Sequence, residues 1–152
     1  MKNLYDTQII IYLIFSIIFI LLTNTYFNFE QSLIYGAADG KTYMQIAEAS
    51  PNFSLAKEPY HKAQRFIFPY IIGLMSFITN IELISLFRGS CISLLLLNLY
   101  FFFKIFKKLN VDKYHQIFLF SLIIFNPYLF RYYVALPTLI NDLMLIFSGT
   151  LL

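Results

Sequence analysis

Apolar residues fall in blocks along this chain, and most of its charges fall between the blocks. The first block, residues 7–26, is close to the ~20 residues an α-helix needs to cross a bilayer core. Lys2 precedes it, as in a secretory signal peptide, but Thr23-Asn24-Thr25-Tyr26-Phe27 offers no small-x-small cleavage site. An uncleaved anchor is therefore expected. A polar segment follows, holding Glu30, Asp39, Lys41, Glu48, Lys57, Glu58, His61, Lys62 and Arg65. Within it, residues 39–49 have helical spacing. Tyr43, Ile46, Ala47 and Ser50 fall on one stripe, and Lys41, Gln45 and Glu48 on another. Asp39 stands at the N-cap position and Pro51 marks the stop. This short amphipathic helix is expected to lie along a membrane surface.

The block at 66–78 contains Pro69 and Gly73. Its length of about 13 residues suits a re-entrant, interfacial or buried helix better than a span. The block at 83–106 is long enough to cross and carries Arg88 near its start. Lys104, Lys107, Lys108 and Lys113 follow as a basic cluster. A further block begins near residue 115 and leads through Asn126-Pro127 to Arg131 and Pro137. The last block carries Asn141 and Asp142 and reaches Leu152 after only about half of a ~20-residue span.

Composition strengthens this picture. Only 12% of the residues are charged and 59% are hydrophobic, with a mean hydropathy of +0.69. A soluble domain has about 25% charged residues, so this chain cannot cover a water-facing globule. The net charge of +3 is too small for a nucleic-acid footprint, and the lone Cys91 permits no internal disulfide. The expected fold is an all-α integral membrane, polytopic helical bundle of one domain. It comprises three full spans plus a truncated fourth, with external juxtamembrane helices in the first loop. The expected segments are a span at 7–26, an external loop at 27–82, a span at 83–104, a cytoplasmic loop at 105–114, a span at 115–131, an external turn at 132–140 and a partial span at 141–152.

The lysine cluster orients the bundle, because cytoplasmic loops carry the excess of Lys and Arg. With Lys2 also inside, an even number of crossings separates the two. The short block at 66–78 is then expected not to cross. Asp39, Arg131 and Asp142 all fall on the external side, while His61 and His115 fall on opposite sides and cannot share a metal.

Four residues are candidates for chemistry. Asp39, in Ala-Ala-Asp-Gly, reads as a helix N-cap or as a surface carboxylate acting as base or metal ligand. Arg88 reads as a functional charge at membrane depth or as a residue snorkelling to the interface. Asp142 reads as a second N-cap, and Arg131 as an interfacial anchor or a phosphate-binding residue. Asn52-Phe53-Ser54 fits the glycosylation sequon, a pattern common by chance. No paired-histidine metal motif, Gly-rich nucleotide loop or nucleophile elbow is present.

The order of these features resembles a known pattern. Asp39-Gly40-x-x-Tyr43-x-x-x-Ala47 follows an anchor. Tyr60-His61-Lys62-x-x-Arg65-Phe66-x-x-Pro69 leads into a short apolar helix. Arg88 heads the next span, and a basic turn follows. Asn126-Pro127-x-x-x-Arg131-Tyr132-x-x-Ala135 then leads to Asp142. The chain resembles the N-terminal part of the C-type (GT-C) membrane glycosyltransferases, which include oligosaccharyltransferase catalytic subunits, protein O-mannosyltransferases and lipid A aminoarabinose transferases. The resemblance implies sugar transfer from a polyprenyl-linked donor to a cell-envelope acceptor on the external face of a bacterial cytoplasmic membrane. It implies Asp39 as catalytic base or metal ligand and Asp142 as the second-loop acidic residue. Arg88 matches an arginine of the O-mannosyltransferase branch; with Arg131 and Asp142 it is a candidate for binding the donor and its phosphate, and Asp39 and Asp142 are the candidates for a metal ion. The first loop has Asp-Gly rather than Asp-Glu, and the second has Asn141-Asp142 rather than a full acidic triplet. A divalent metal ion therefore stays an open expectation, and a piece without the later spans is expected to be inactive alone. The implied partners are the lipid bilayer and the polyprenyl-linked donor, with no nucleic acid. The alternative is a non-catalytic membrane protein of envelope polysaccharide assembly, whether polymerase-like, flippase-like or an accessory subunit.

Overall fold

The computed structural model describes residues 2–24, 40–52, 66–126 and 149. Its described elements are α1 (Lys2–Asn24), α2 (Gly40–Glu48), α3 (Ile67–Thr79), α4 (Leu83–Lys108) and α5 (Lys113–Phe125). Helix α4 is the axis of the molecule. At 26 residues it is roughly 39 Å long, and the other four helices pack along it.

Two separate cores form on α4. Toward its C-terminal half, Leu95, Leu99 and Phe103 meet Ile20 of α1 and Phe120 and Ile124 of α5. The Tyr12 ring of α1 lies against both Phe103, at 4.7 Å between centroids, and Phe120, at 4.6 Å. Nearer the start of α4, Phe87 meets Tyr43 and Ala47 of α2 and Ile72 of α3.

Both connections into and out of α4 are tight turns. Asn80 takes the left-handed conformation (φ 56°) after α3, and its N–H donates to the Ser76 carbonyl at 2.8 Å. Asn110 (φ 54°) does the same after α4, its N–H donating to the Lys107 carbonyl at 3.1 Å. Asparagine is among the few side chains that enter this region at low cost. The Gln116 side chain braces the second turn by donating to the Val111 carbonyl at 2.6 Å.

The described residues are all-helical or in turns, but the expected three full spans with a truncated fourth are not found. Among the described residues a single helix, α4, is long and apolar enough to cross a membrane. The apolar part of α1, Thr7–Leu22, is too short. Helix α5 has 13 residues and rises only ~20 Å, against a hydrocarbon core of ~30 Å. It ends because Asn126 precedes Pro127. A proline pushes the residue before it out of the helical region, and Asn126 sits extended at φ −76°, ψ 109°. An apolar count runs straight through that boundary. The segments expected at 127–140 and 141–152 lie outside the described residues, apart from position 149, which is helical.

Candidate functional site

The helix that opens after Asp39 is the best-docked element outside the main bundle. Helix α2 starts at Gly40 and lasts only to Glu48. Such a short helix is unstable alone, so its packing decides its existence. Tyr43, Ile46, Ala47 and Ser50 are buried, while Lys41, Gln45 and Glu48 are exposed. The buried stripe meets α3 and α4 through Ile72 and Phe87.

Reciprocal hydrogen bonds fix the end of α2 to α3. The Ser50 hydroxyl donates to the Tyr70 carbonyl at 3.2 Å, and the Tyr70 phenol donates to the Pro51 carbonyl at 3.0 Å. Gly73 lets the two backbones meet. A Cβ there would fall 2.2 Å from the Ala47 carbonyl oxygen and 2.7 Å from the Ser50 Cβ.

This docking brings α2 to the end of α4 that carries Arg88. Phe87, fully buried under Tyr43 and Ala47, is the residue before it. Arg88 is half-buried and its Nε is buried. Of the four residues expected to carry chemistry, Arg88 alone lies within the described residues. Asp39, Arg131 and Asp142 lie outside them, as does the expected convergence of Asp39 with Asp142. Among the described residues no group of three or more His, Cys, Asp or Glu could hold a metal ion. Asp39 and Asp142, the two acidic residues that the resemblance puts at the site, are not among them.

The opposite end of α4 is basic. Lys107 and Lys108 occupy its last turn, and Lys104 Nζ sits 4.7 Å from the Tyr100 ring centroid. The next helix starts with a cap that the sequence reading passed over. Asp112 accepts from the backbone N–H groups of Tyr114 at 2.9 Å and His115 at 3.0 Å, and its other oxygen pairs with the His115 ring. These hydrogen bonds to His115, backbone and then side chain, hold the Asp112 carboxyl below the ordinary carboxylate range. The readable signal was an aspartate one turn before an apolar run that starts at Ile117.

Large apolar side chains face outward on several helices. On α1, Ile10, Ile11, Ile14, Ile18, Leu21 and Leu22 are all exposed. Only 28% of the most apolar stretch of α4 is buried within the molecule. Contiguous apolar surface on this scale calls for a partner or a lipid environment. No family model, no curated protein and no solved structure matches this chain.

Proposed function

We propose that this chain sits in a membrane through α4 and forms part of a polyprenyl-phosphate-sugar-dependent glycosyltransferase acting on a cell-envelope acceptor at the external face. One observation carries the reading. The helix opening directly after Asp39 is docked on α4 at Phe87, beside Arg88. The helix that follows Asp39 in the chain and the Arg88 end of α4 thus belong to one packed unit. The outward apolar faces of α1 and α4 support the lipid setting.

The chemistry suits those residue types. An acceptor hydroxyl is a poor nucleophile, and the Asp39 carboxylate takes its proton as its oxygen bonds to the anomeric carbon. The bond from that carbon to the carrier phosphate oxygen breaks, and the carrier leaves as a phosphate anion. Guanidinium donors at Arg88 stabilise that anion. The start of a helix carries partial positive charge, which favours an ionised carboxylate at position 39.

The test is sugar transfer from a polyprenyl-linked donor by the full-length enzyme with its later spans, compared with its Asp39→Asn variant at matched membrane levels. Asparagine caps a helix about as well as aspartate, so insertion and folding should persist. Loss of the base should lower transfer about 10²–10⁴-fold. Near-normal transfer by the variant would remove Asp39 from the mechanism and leave capping as its whole role. Absence of transfer by a wild type that includes the later spans would favour the non-catalytic subunit.

A further inference from the structure

Helices α2 and α3 divide polarity between them. On α2, Tyr43, Ile46 and Ala47 are at most 3% exposed. The apolar stripe expected to rest on a membrane surface is therefore spent on protein contacts. The outward side of α2 carries Lys41, Gln45 and Glu48. Helix α3 is the reverse, because no Asp, Glu, Lys or Arg occurs in Ile67–Thr79. Its inward side, at Pro69, Ile72 and Gly73, is buried, and Gly73 is where the end of α2 sits against it. Ile67, Ile71, Met75 and Ile78 recur at helical spacing, in one stripe on the far side of α3 from Gly73. They are 43–74% exposed. The stripe adjoins an open trough of about 490 Å³ between α3 and α4. Ile71 and Met75 line its α3 side, and Leu86 and Leu94 its α4 side. The apolar surface of α3 thus runs on into that of α4, which among the described residues is the helix fit to cross a membrane.

That continuity names the occupant. A charge-free face joined to a spanning helix, with a charged face on the other side of the same unit, complements lipid in front and water behind. We propose that the outward face of α3 contacts bilayer lipid, and that α2 stands on the aqueous side of α3 instead of lying on the membrane. The stripe carries no charge, so it fits acyl chains and makes no demand on the headgroup. Gly73 ties the two helices together, so the lipid contact of α3 also sets the height of α2 relative to the bilayer. The proposal rests on the membrane setting proposed above but not on glycosyl transfer.

The chain contains no tryptophan, so a single introduced one reports only on its own surroundings. The full chain is placed in phosphatidylcholine vesicles with or without brominated acyl chains, and emission is also read with iodide on both sides. Ile71→Trp samples the α3 stripe, Gln45→Trp the wet face of α2, and Leu97→Trp an exposed position near the middle of α4. Ile71→Trp and Leu97→Trp should lose emission to the brominated lipid and be spared by iodide. Gln45→Trp should do the reverse. Bromine quenching of Gln45→Trp would overturn the division between the two helices. Iodide quenching of Ile71→Trp would put the stripe in water. Protection of Ile71→Trp from both quenchers would put protein over it, either a second copy or another segment of the chain. Either result, with Leu97→Trp still quenched by bromine, overturns the proposal and leaves the membrane setting standing. If Leu97→Trp is itself reached by iodide and spared by bromine, the chain is not in the bilayer, and the membrane setting falls together with the proposal. Circular dichroism checks helix content in each variant. Ile67→Trp, on the same stripe, carries the test if Ile71→Trp loses helix.

Discussion

A methyl group at position 73 would meet the Ala47 carbonyl oxygen at 2.2 Å, and backbone atoms cannot rotate away as a side-chain tip can. Gly73→Ala should therefore lift α2 off α3 and destabilise that unit by about 1–3 kcal/mol, as overpacking does. Gly89 supplies the contrast, because a Cβ there meets nothing within 4 Å. Gly89→Ala should be neutral or stabilising by up to about 1 kcal/mol through helix propensity. Protease cleavage rates near α2 in the two variants would check the pair, and equal protection would refute the close-approach role. Asp112 makes a second prediction. Its folded carboxyl pKa is lowered, so its stabilisation is present above the unfolded carboxylate pKa and is lost as pH falls through the folded value. The amide shifts of Tyr114 and His115 should titrate below the ordinary carboxylate range in the wild type. They should stay flat there in Asp112→Asn, which caps without titrating. Sequence pattern alone could see Gly73 only as a helix-weakening residue. Its purpose depends on an atom 26 positions earlier in the chain, which no local window contains.

Among the elements, the pattern read best where one stripe is buried and the other is wet. The two faces of α2 were separable from residue spacing because Tyr43, Ile46, Ala47 and Ser50 meet protein while Lys41, Gln45 and Glu48 do not. The bounds of α3 were legible for a similar reason, since polar residues flank a short apolar run. Helix α5 was overextended because lipid-like composition continues past its end, whereas the backbone obeys Pro127. How α1 is held was not legible at all, since its middle, residues 9–22, is apolar at every position but Ser16 and marks no single packing face. The structure assigns that task to Tyr12, whose ring touches Phe103 and Phe120. Aromatic pairs contribute about 0.5–1.5 kcal/mol each beyond area burial. Tyr12→Ala should thus loosen α1 by roughly 1–3 kcal/mol. Ile11→Ala, at an outward-facing position, should cost much less. A denaturant titration followed by a disulfide trap between α1 and α4 would measure the difference, and equal effects would deny Tyr12 its holding role.

At the scale of the molecule, α4 joins two cores that differ in what they carry. The α2–α3 core surrounds its start, beside Arg88. The α1–α5 core surrounds its second half, which leads to the lysines. Ile9 and Ile10 of α1 lie beside Lys104 and Lys107 of α4, and Ile20 packs with Leu95 and Leu99, so α1 runs antiparallel to α4. The start of α1 and the basic cluster therefore share one end of the helix pair. In the proposed membrane setting, a single crossing by α4 puts the two tight turns on opposite sides of the membrane. The turn at Asn80 should be external and the turn at Asn110 cytoplasmic. Cysteines placed at Ile81 and Asn110, each in a Cys91→Ala background, test this directly. Ile81 and Asn110 are both exposed, so a reagent can reach them, whereas native Cys91 is buried. A membrane-impermeant maleimide added to intact cells should label position 81 and spare position 110 until the cells are opened. Labelling of both from outside would mean that α4 does not cross, and it would take the external Arg88 site down with it. Labelling of position 110 alone would invert the orientation, placing Arg88 and the helix after Asp39 on the cytoplasmic face, where an externally acting transferase could not use them.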